Sequence, residues 1–207
     1  MKGKSLGMLL ALLSATFVGT HCTEGKSNDI AVVKDSTTAV LTNNNGYASQ
    51  VQWGAHLVSI SGCNDCHTPK KMGPKGPENN MDLELSGHPS QSPEPKVDRQ
   101  EIESKGLGVT GGLTEWIGPW GISYAANITS DSTGIGGWKE DQFIFAMRNG
   151  KWKGLPEGRD LLPPMPWQGI AQMTDGELKA IFAYLKATKP VHNVVPLSQL
   201  PVLAMKK

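Results

Sequence analysis

The stretch Gly62-Cys63-Asn64-Asp65-Cys66-His67-Thr68, GCNDCHT in one-letter code, decides the fold expected of this chain. The 207 residues include only three cysteines, yet two of them lie within this stretch and a histidine follows directly. In the spacing C-x-x-C-H, both sulfurs can bond to one edge of a porphyrin while the histidine lies beneath the ring plane. The stretch therefore predicts covalent attachment of one haem c through Cys63 and Cys66, with His67 as the proximal iron ligand.

Other uses of this motif fit the sequence less well. A structural zinc site needs four ligands, and no second cysteine or histidine pair stands at close spacing. A thioredoxin-type pair follows a strand and opens a helix, whereas here a helical pattern ends just before Cys63. The sequence therefore favours haem over zinc, over a redox-active dithiol and over a chance match.

The distal iron ligand is predicted to be Met165. It stands in Leu161-Leu162-Pro163-Pro164-Met165-Pro166-Trp167, where the prolines favour a stiff, extended loop that holds the thioether in place. A thioether ligand stabilises ferrous iron and raises the reduction potential. Met147 and Met173 are assigned to packing, and Met72 and Met81 to a polar loop near the motif. His56, His88 and His192 remain rivals, of which His88 is the strongest.

Haem propionates require hydrogen-bond donors, and the sequence offers several candidates. We expect these donors among Arg148, Arg159, Trp152 and Asn127, although a surface position is the alternative for each. No Ser/His/Asp arrangement and no phosphate-binding glycine loop stands out, so no catalytic residue is predicted.

Helical patterns flank the motif on both sides. Apolar or small residues recur at helical spacing from Tyr47 to Val58, and Gly62 ends that pattern. A second helix is predicted from about Lys139 to Asn149. The third begins with the capping box Thr174-Asp175-Gly176-Glu177, and Pro190 closes it. Between the first and second of these helices, residues 69–121 are rich in proline and glycine. They are predicted to be loop, with one helical turn at 98–104.

The N-terminal residues have the pattern of an export signal. Two lysines precede an apolar run at 6–18, which is too short to span a bilayer. Cys22 follows, as in a bacterial lipoprotein whose cysteine carries lipid, although His21 fits the usual signal poorly. Ordinary signal cleavage and an uncleaved anchor are the alternatives. The chain is divided into an export signal (1–22), a flexible tether (23–45) and one domain (46–200), placed in the periplasm or at the cell surface.

Composition excludes one class of partner. The net charge is +1, with 20 basic and 19 acidic residues and no basic stripe, so no nucleic-acid partner is expected. The membrane is an expected partner through the lipid on Cys22.

Three stretches resemble a known family in the right order: CNDCHTPK at 63–70, SYAANITSDSTGIGGW at 123–138, and LLPPMPWQGIAQMTDGELKAIFAYLKATKPVHN at 161–193. They resemble class I-type monohaem cytochromes c, and more closely the bacterial cytochrome c modules that serve periplasmic dehydrogenases. The resemblance implies an all-α fold in which the N- and C-terminal helices cross, with Gly54 against the face of Phe182 and Leu185. It covers less than half of the chain.

Two departures from that family stand out. His67 and Met165 are 98 positions apart, so the segment 69–121 is expected to be a loop insertion. Only one C-x-x-C-H occurs in these residues, which excludes several covalently attached haems within them.

The expected function is electron transfer and not catalysis. Ligation of the iron on both faces leaves no open position, so single electrons would pass through the haem edge. The expected partners are a dehydrogenase or quinol-oxidising complex, an oxidase, or another cytochrome. The alternatives are a gas sensor or enzyme in which Met165 is displaced, and a cytochrome subunit fixed to a dehydrogenase.

Overall fold

The computed structural model describes residues 44–202 and residue 204. The predicted export signal, Cys22 and all but the last two residues of the predicted tether lie outside these described residues. The division of the chain into signal, tether and one domain therefore stays a prediction.

Two crossing helices form the centre of the fold, as predicted. α1 (Gln50–Ile60) packs against α6 (Asp175–Ala187). At their closest approach Gly54 lies directly against the backbone carbonyl of Ala180 and the Cβ of Tyr184, so no side chain fits at position 54. The expected contact with the face of Phe182 and Leu185 is thus replaced by contact with Ala180 and Tyr184.

The other helices are shorter, and two of them lie close to predicted positions, whereas the helix at the C-x-x-C-H motif and the one after the Met165 loop were not predicted. The prediction that the C-x-x-C-H motif closes a helix is wrong, because the motif itself forms α2 (Cys63–His67), which begins after Gly62 in the left-handed conformation at φ 68°. α3 (Arg99–Ser104) occupies the predicted helical turn. α4 (Glu140–Asn149) ends at Gly150, again left-handed at φ 60°, and α5 (Trp167–Ile170) follows the Met165 loop. Two 3₁₀ turns cover Met81–Leu83 and Trp152–Gly154.

The prediction of an all-α fold is wrong, because the segment 69–121 and the residues just beyond it form two antiparallel sheets. β1 (Lys70–Gly73) pairs with β2 (Gly76–Asn79) in a hairpin. β3 (Val109–Thr110), β4 (Glu115–Gly118) and β5 (Gly121–Tyr124) form a three-stranded sheet. Proline and glycine disfavour long helices in this segment, but they are compatible with short strands joined by tight turns. The described fold is therefore mixed α and β.

The apolar residues divide into two clusters. The larger joins α1, α4 and α6, with buried side chains that include Trp53, Leu57, Phe143, Ile181 and Leu185. The smaller lies between α3 and the three-stranded sheet and consists of Ile102, Ile117 and Ile122. None of the described helices has the length and apolarity needed to cross a bilayer.

Candidate functional site

The C-x-x-C-H motif is presented on one short helix. Gly62 lets the chain turn sharply from α1 into α2, and the motif occupies the whole of α2. Cys63 and Cys66 are three residues apart on that helix and therefore lie on the same side. Both cysteines and His67 line one cavity of about 700 Å³.

The imidazole of His67 is held in one orientation by the backbone. Its Nδ1 lies 2.8 Å from the carbonyl oxygen of Ala126, and because a carbonyl can only accept, Nδ1 carries the proton. Burial lowers the pKa of His67, and the bond to Ala126 opposes that change only in part. At neutral pH the ring is therefore uncharged, with Nε2 as its unprotonated nitrogen, which is the form that binds a metal.

The two thiols lack the acidity of a redox-active dithiol. Burial raises the pKa of Cys63 to about 11, and burial together with the charge of Asp65 raises the pKa of Cys66. Reactive C-x-x-C thiols have pKa values lowered to about 7 or less. The described residues also contain no group of three or more His, Cys, Asp or Glu side chains that could hold a metal ion, as a zinc site would require. The raised pKa values of the two thiols argue against a redox-active dithiol.

The rest of the cavity is mainly apolar and suits a flat, largely hydrophobic macrocycle. Its volume is within the range of about 300–1,000 Å³ found for cofactor sites. Its walls come from α4, α6, the loop after β5 and the segment that follows α6; among the lining residues are Ile128, Ile135, Trp138, Phe143, Ala146, Ile181 and Leu185. Volume, apolar walls and a thiol–thiol–imidazole set at one edge together fit haem c.

The Met165 loop forms part of the same cavity. Its backbone is fixed by a hydrogen bond from Ser123 Oγ of β5 to the Pro163 carbonyl, at 2.5 Å, and by one from Leu161 N to the Gly150 carbonyl, at 2.6 Å. Met165 itself lines the cavity, as expected of the distal ligand.

Two further methionines reach this cavity. Met147 of α4 and Met173, just before α6, pack against the larger apolar cluster as predicted, but both also line the cavity. Met72 and Met81 are 78% and 54% exposed and lie outside the lining. Met147, Met165 and Met173 therefore all lie where a distal iron ligand could be, and experiment must distinguish among them.

The rival histidines lie elsewhere. His88 is buried, with Nδ1 3.0 Å from Thr114 Oγ1 and its ring against Tyr124. His56 is exposed beside Tyr47, and His192 is exposed 3.4 Å from Asp131. Among the described residues, His67 is the only histidine in the cavity lining.

The four predicted propionate partners separate into two groups. Trp152, Arg159 and Asn127 line the cavity, and the Arg159 guanidinium lies 4.2 Å from the Trp152 ring centroid. The Asn127 amide is already engaged with Thr133 and with the carbonyls of Val191 and Asn193. Arg148 is outside the lining, where it bonds the Ala171 carbonyl and Asp175.

The segment after α6 has a role that sequence reasoning missed, because residues 194–198 form one wall of the cavity. Gln199 bridges to Ile122 of β5, which brings this extended segment across the sheet. Its only sequence signal is the uncharged, apolar run VVPLSQL after Pro190, which has no helical period. The contact is non-local, so spacing within the sequence could not reveal it.

Comparison with known proteins gives partial matches. No protein-family model matches the chain. The chain is 38% identical over 85 residues to the fructose dehydrogenase cytochrome subunit of Gluconobacter japonicus, covering 40% of this chain and 17% of that protein. It is 39% identical over 82 residues to the gluconate 2-dehydrogenase cytochrome c subunit of Pantoea cypripedii, covering 39% and 17%. It is 37% identical over 83 residues to a nicotinate dehydrogenase subunit of Pseudomonas putida, covering 40% and 7%.

The chain spans less than a fifth of the length of these curated relatives. The predicted similarity to cytochrome c modules of dehydrogenases is confirmed over this part of the chain, while the narrower class I monohaem type stays a prediction. The named cytochrome subunits also support the prediction that the chain is an electron-transfer component and not a catalytic subunit.

Proposed function

We propose that this chain is the cytochrome c component of a dehydrogenase system, with one haem c bonded to Cys63 and Cys66 and ligated by His67 and Met165. The observation that carries the proposal is the single cavity lined by the C-x-x-C-H helix and by the proline-braced methionine loop. When bound, the haem supplies one-electron redox chemistry.

The protein's part in this function is to position ligands and to limit access of water. The hydrogen bond from His67 Nδ1 to the Ala126 carbonyl directs the unprotonated Nε2 away from the backbone and towards the cavity. The backbone of the Met165 loop is anchored to β5 and to the end of α4, so the chain that carries the thioether is held at the cavity. Trp152 and Arg159 are the proposed propionate partners at the cavity rim.

The proposed electron donor is a dehydrogenase. Relatives named as cytochrome subunits of fructose, gluconate and alcohol dehydrogenases support this choice over an oxidase or a separate cytochrome. The same names favour a subunit that stays bound to its dehydrogenase. Permanent binding to a dehydrogenase is tested by co-purification of a dehydrogenase activity with the tagged full chain. Recovery of the chain alone contradicts it.

The proposed location is outside the cytoplasm, where covalent haem attachment in bacteria takes place, with a lipid anchor on Cys22. The apolar run before Cys22 supports this proposal. Incorporation of labelled palmitate that is lost in Cys22→Ser tests the anchor, and equal labelling of both proteins contradicts it.

The distal ligand can be tested because three methionines share the cavity. We expect Met165→Leu, and not Met147→Leu or Met173→Leu, to abolish the weak long-wavelength band of methionine-to-ferric-iron charge transfer. The leucine variants have similar volume, so packing changes by less than about 1.5 kcal/mol in each. Absorption spectra of the oxidised and reduced full chain provide the measurement.

Two results would contradict His/Met ligation by Met165. Loss of the band in Met147→Leu or Met173→Leu alone would move the ligand to that residue. A wild-type protein that lacks the band and binds carbon monoxide rapidly would favour a gas sensor or an enzyme with an open iron position.

A further inference from the structure

Glu115 is a buried acid that does not line the candidate haem cavity, although its strand neighbour Trp116 and its ladder partner Tyr124 do. Glu115 is 2% exposed, and within the described residues its Oε1 has no hydrogen-bond partner. Burying a carboxylate without compensating contacts is costly, so such a group tends to take up a proton.

Strand pairing fixes the position of Glu115 relative to the cavity. In β4 the next residue, Trp116, lines the cavity. Across the ladder Glu115 is paired in register with Tyr124 of β5, which lines the cavity as well. Successive side chains of a strand point to opposite faces, so Glu115 lies on the face of the sheet opposite to Trp116 and on the same face as Tyr124. The Cβ atoms of directly opposed residues are about 5 Å apart, so Tyr124 is the cavity-lining residue that Glu115 faces across the ladder.

A second carboxylate lies on the far side of Tyr124. The Tyr124 hydroxyl donates to Glu94 Oε1 at 3.3 Å, and Gln199 Nε2 donates to the same oxygen at 2.6 Å. Glu94 therefore has partners, and its negative charge acts on Glu115. This neighbour makes the charged form of Glu115 less favourable still.

The arginine on the helix packed against β4 is engaged elsewhere. That helix, α3, carries Arg99 and Glu103, and these two residues form an ion pair at 2.9 Å. Arg99 also donates to the side chain of Gln199 and to the Leu200 carbonyl. His88, which packs against Tyr124, has a pKa lowered by burial and is uncharged at neutral pH.

We propose that Glu115 is a proton-binding site coupled to the redox state of the haem, an inference that rests on the proposed function. The carboxylate of Glu115 would take one proton from water, with an O–H bond formed at a carboxylate oxygen, when the dehydrogenase supplies one electron to a bound haem. Glu115 would release this proton to water when the electron passes on to the acceptor.

Coulomb interaction in a poorly polarisable interior gives this coupling its sign. An electron added to the haem makes the neighbouring carboxylate less favourable, and a proton on Glu115 makes the added electron more favourable. The two effects are equal because coupling between two bound species is reciprocal. The reduction potential is therefore expected to fall as the pH rises through the range in which Glu115 titrates.

The acidity of the surrounding groups is consistent with this geometry. Burial, and secondarily the charge of Glu94, raises the pKa of Glu115 to about 7. Burial and the same carboxylates raise the pKa of Tyr124 to about 12, so the phenol stays protonated. Glu115 is thus the group in this set that changes its charge near neutral pH.

The test is the reduction potential of the haem-loaded full chain as a function of pH. We expect a potential that falls across about one pH unit on either side of 7 in the wild type and that is flat there in Glu115→Gln. Redox-difference infrared spectra should show the carbonyl band of a protonated carboxyl group growing on reduction, and this band should be absent in Glu115→Gln. The exposed Glu78→Gln is the matched control and should behave as the wild type.

A second variant keeps the test decisive if Glu115→Gln does not fold. Glu94→Gln removes the charge that disfavours ionisation of Glu115, so the pH-dependent range should move to lower pH. A flat wild-type potential, or a slope unchanged in Glu115→Gln, overturns the inference while the proposed function stands. A chain that matures without haem overturns both.

Discussion

A single backbone contact sets the chemistry of His67. The Ala126 carbonyl accepts from Nδ1 at 2.8 Å, and this fixes both the tautomer and the ring plane. The carbonyl belongs to the loop after β5, so the proximal ligand is oriented by a segment distant in sequence that follows a strand the sequence patterns did not predict. The motif supplies the ligand, and the non-local neighbour determines which nitrogen is available.

Glu115 also predicts how stability depends on pH. Its pKa is raised to about 7 in the fold, whereas in the unfolded chain it is near the ordinary 4.5. The folded protein therefore binds the extra proton, and its free energy of unfolding falls as the pH rises from about 4.5 to about 7. Relative to the wild type, Glu115→Gln should gain stability over that range, by on the order of 3 kcal/mol at pH 8.

Urea unfolding of both proteins at pH 4.5 and pH 8 measures this difference. Glu78→Gln, in an exposed hairpin ion pair, is the control and should show almost no pH-dependent change. A gain for Glu115→Gln that is the same at both pH values would contradict a raised pKa for Glu115.

Among the elements, the contact between α1 and α6 tolerates substitution least, because there is no space for a side chain at position 54. Gly54 lies against the Ala180 backbone, which cannot move aside as a flexible side chain would. The helices can approach this closely only because position 54 has no Cβ. This contact holds α6, and with it Ile181 and Leu185 of the cavity wall, against the helix that leads into the C-x-x-C-H motif.

Gly54→Ala should therefore destabilise the fold by about 1–3 kcal/mol or more, because the two helices must separate. Gly169→Ala is the matched control: it is helical, nothing lies within 4 Å of its added Cβ, and it should stabilise by about 0.4–1 kcal/mol. Thermal unfolding followed by circular dichroism provides the measurement. Equal melting temperatures for Gly54→Ala and the wild type would show that the helices do not approach as described.

The three longest helices were predictable from sequence, whereas α2, α5 and the strands were not. Periodic apolar residues, the Thr174–Glu177 capping box and the glycines at 62 and 150 are local signals, and α1, α4 and α6 begin and end near them. The strands β3, β4 and β5 are two to four residues long and are separated by proline and glycine. Their pairing depends on contacts with α3 and with Gln199 that no local pattern reveals.

In the molecule as a whole, the segment after α6 is hydrogen-bonded to the loop at residues 86–90, which in turn contacts the C-x-x-C-H motif. Asn193 is its centre: its Nδ2 donates to the carbonyls of Ser86 and His88 at 2.7 and 2.8 Å, and its Oδ1 accepts from Ser90 N at 3.1 Å. The loop that it holds also bonds the His67 carbonyl through Gly87 N. The wall formed by residues 194–198 depends on this attachment.

Asn193→Ala should lower the free energy of unfolding by about 2 kcal/mol, because three hydrogen bonds of about 0.5–1.5 kcal/mol each are lost. It should also speed hydrogen exchange at the amides of residues 86–90. His192→Gln is the control, since its ion pair is 73% exposed on the histidine side and contributes little. Unchanged exchange in Asn193→Ala would show that the C-terminal segment does not hold this loop.

The candidate site was predictable where a local motif or a residue type marks it, which includes the distant Trp152, Arg159 and Asn127 of the lining. Cys63, Cys66 and His67 form one motif, and the prolines beside Met165 mark its loop. The cavity contacts of Met147 and Met173, the wall at 194–198 and the buried Glu115 arise from packing between distant segments. Arg148 was a reasonable donor by residue type, but its partner Asp175 lies at the start of α6 and draws it away from the cavity.

The intact mass of the full chain, produced in a host that matures c-type cytochromes, tests the central claim most directly. We predict a mass increase of one haem per chain that survives denaturation in the wild type and is lost when both Cys63 and Cys66 are replaced by serine. A wild-type chain without this increase, or an increase that persists in the double variant, would contradict covalent attachment of one haem at this motif.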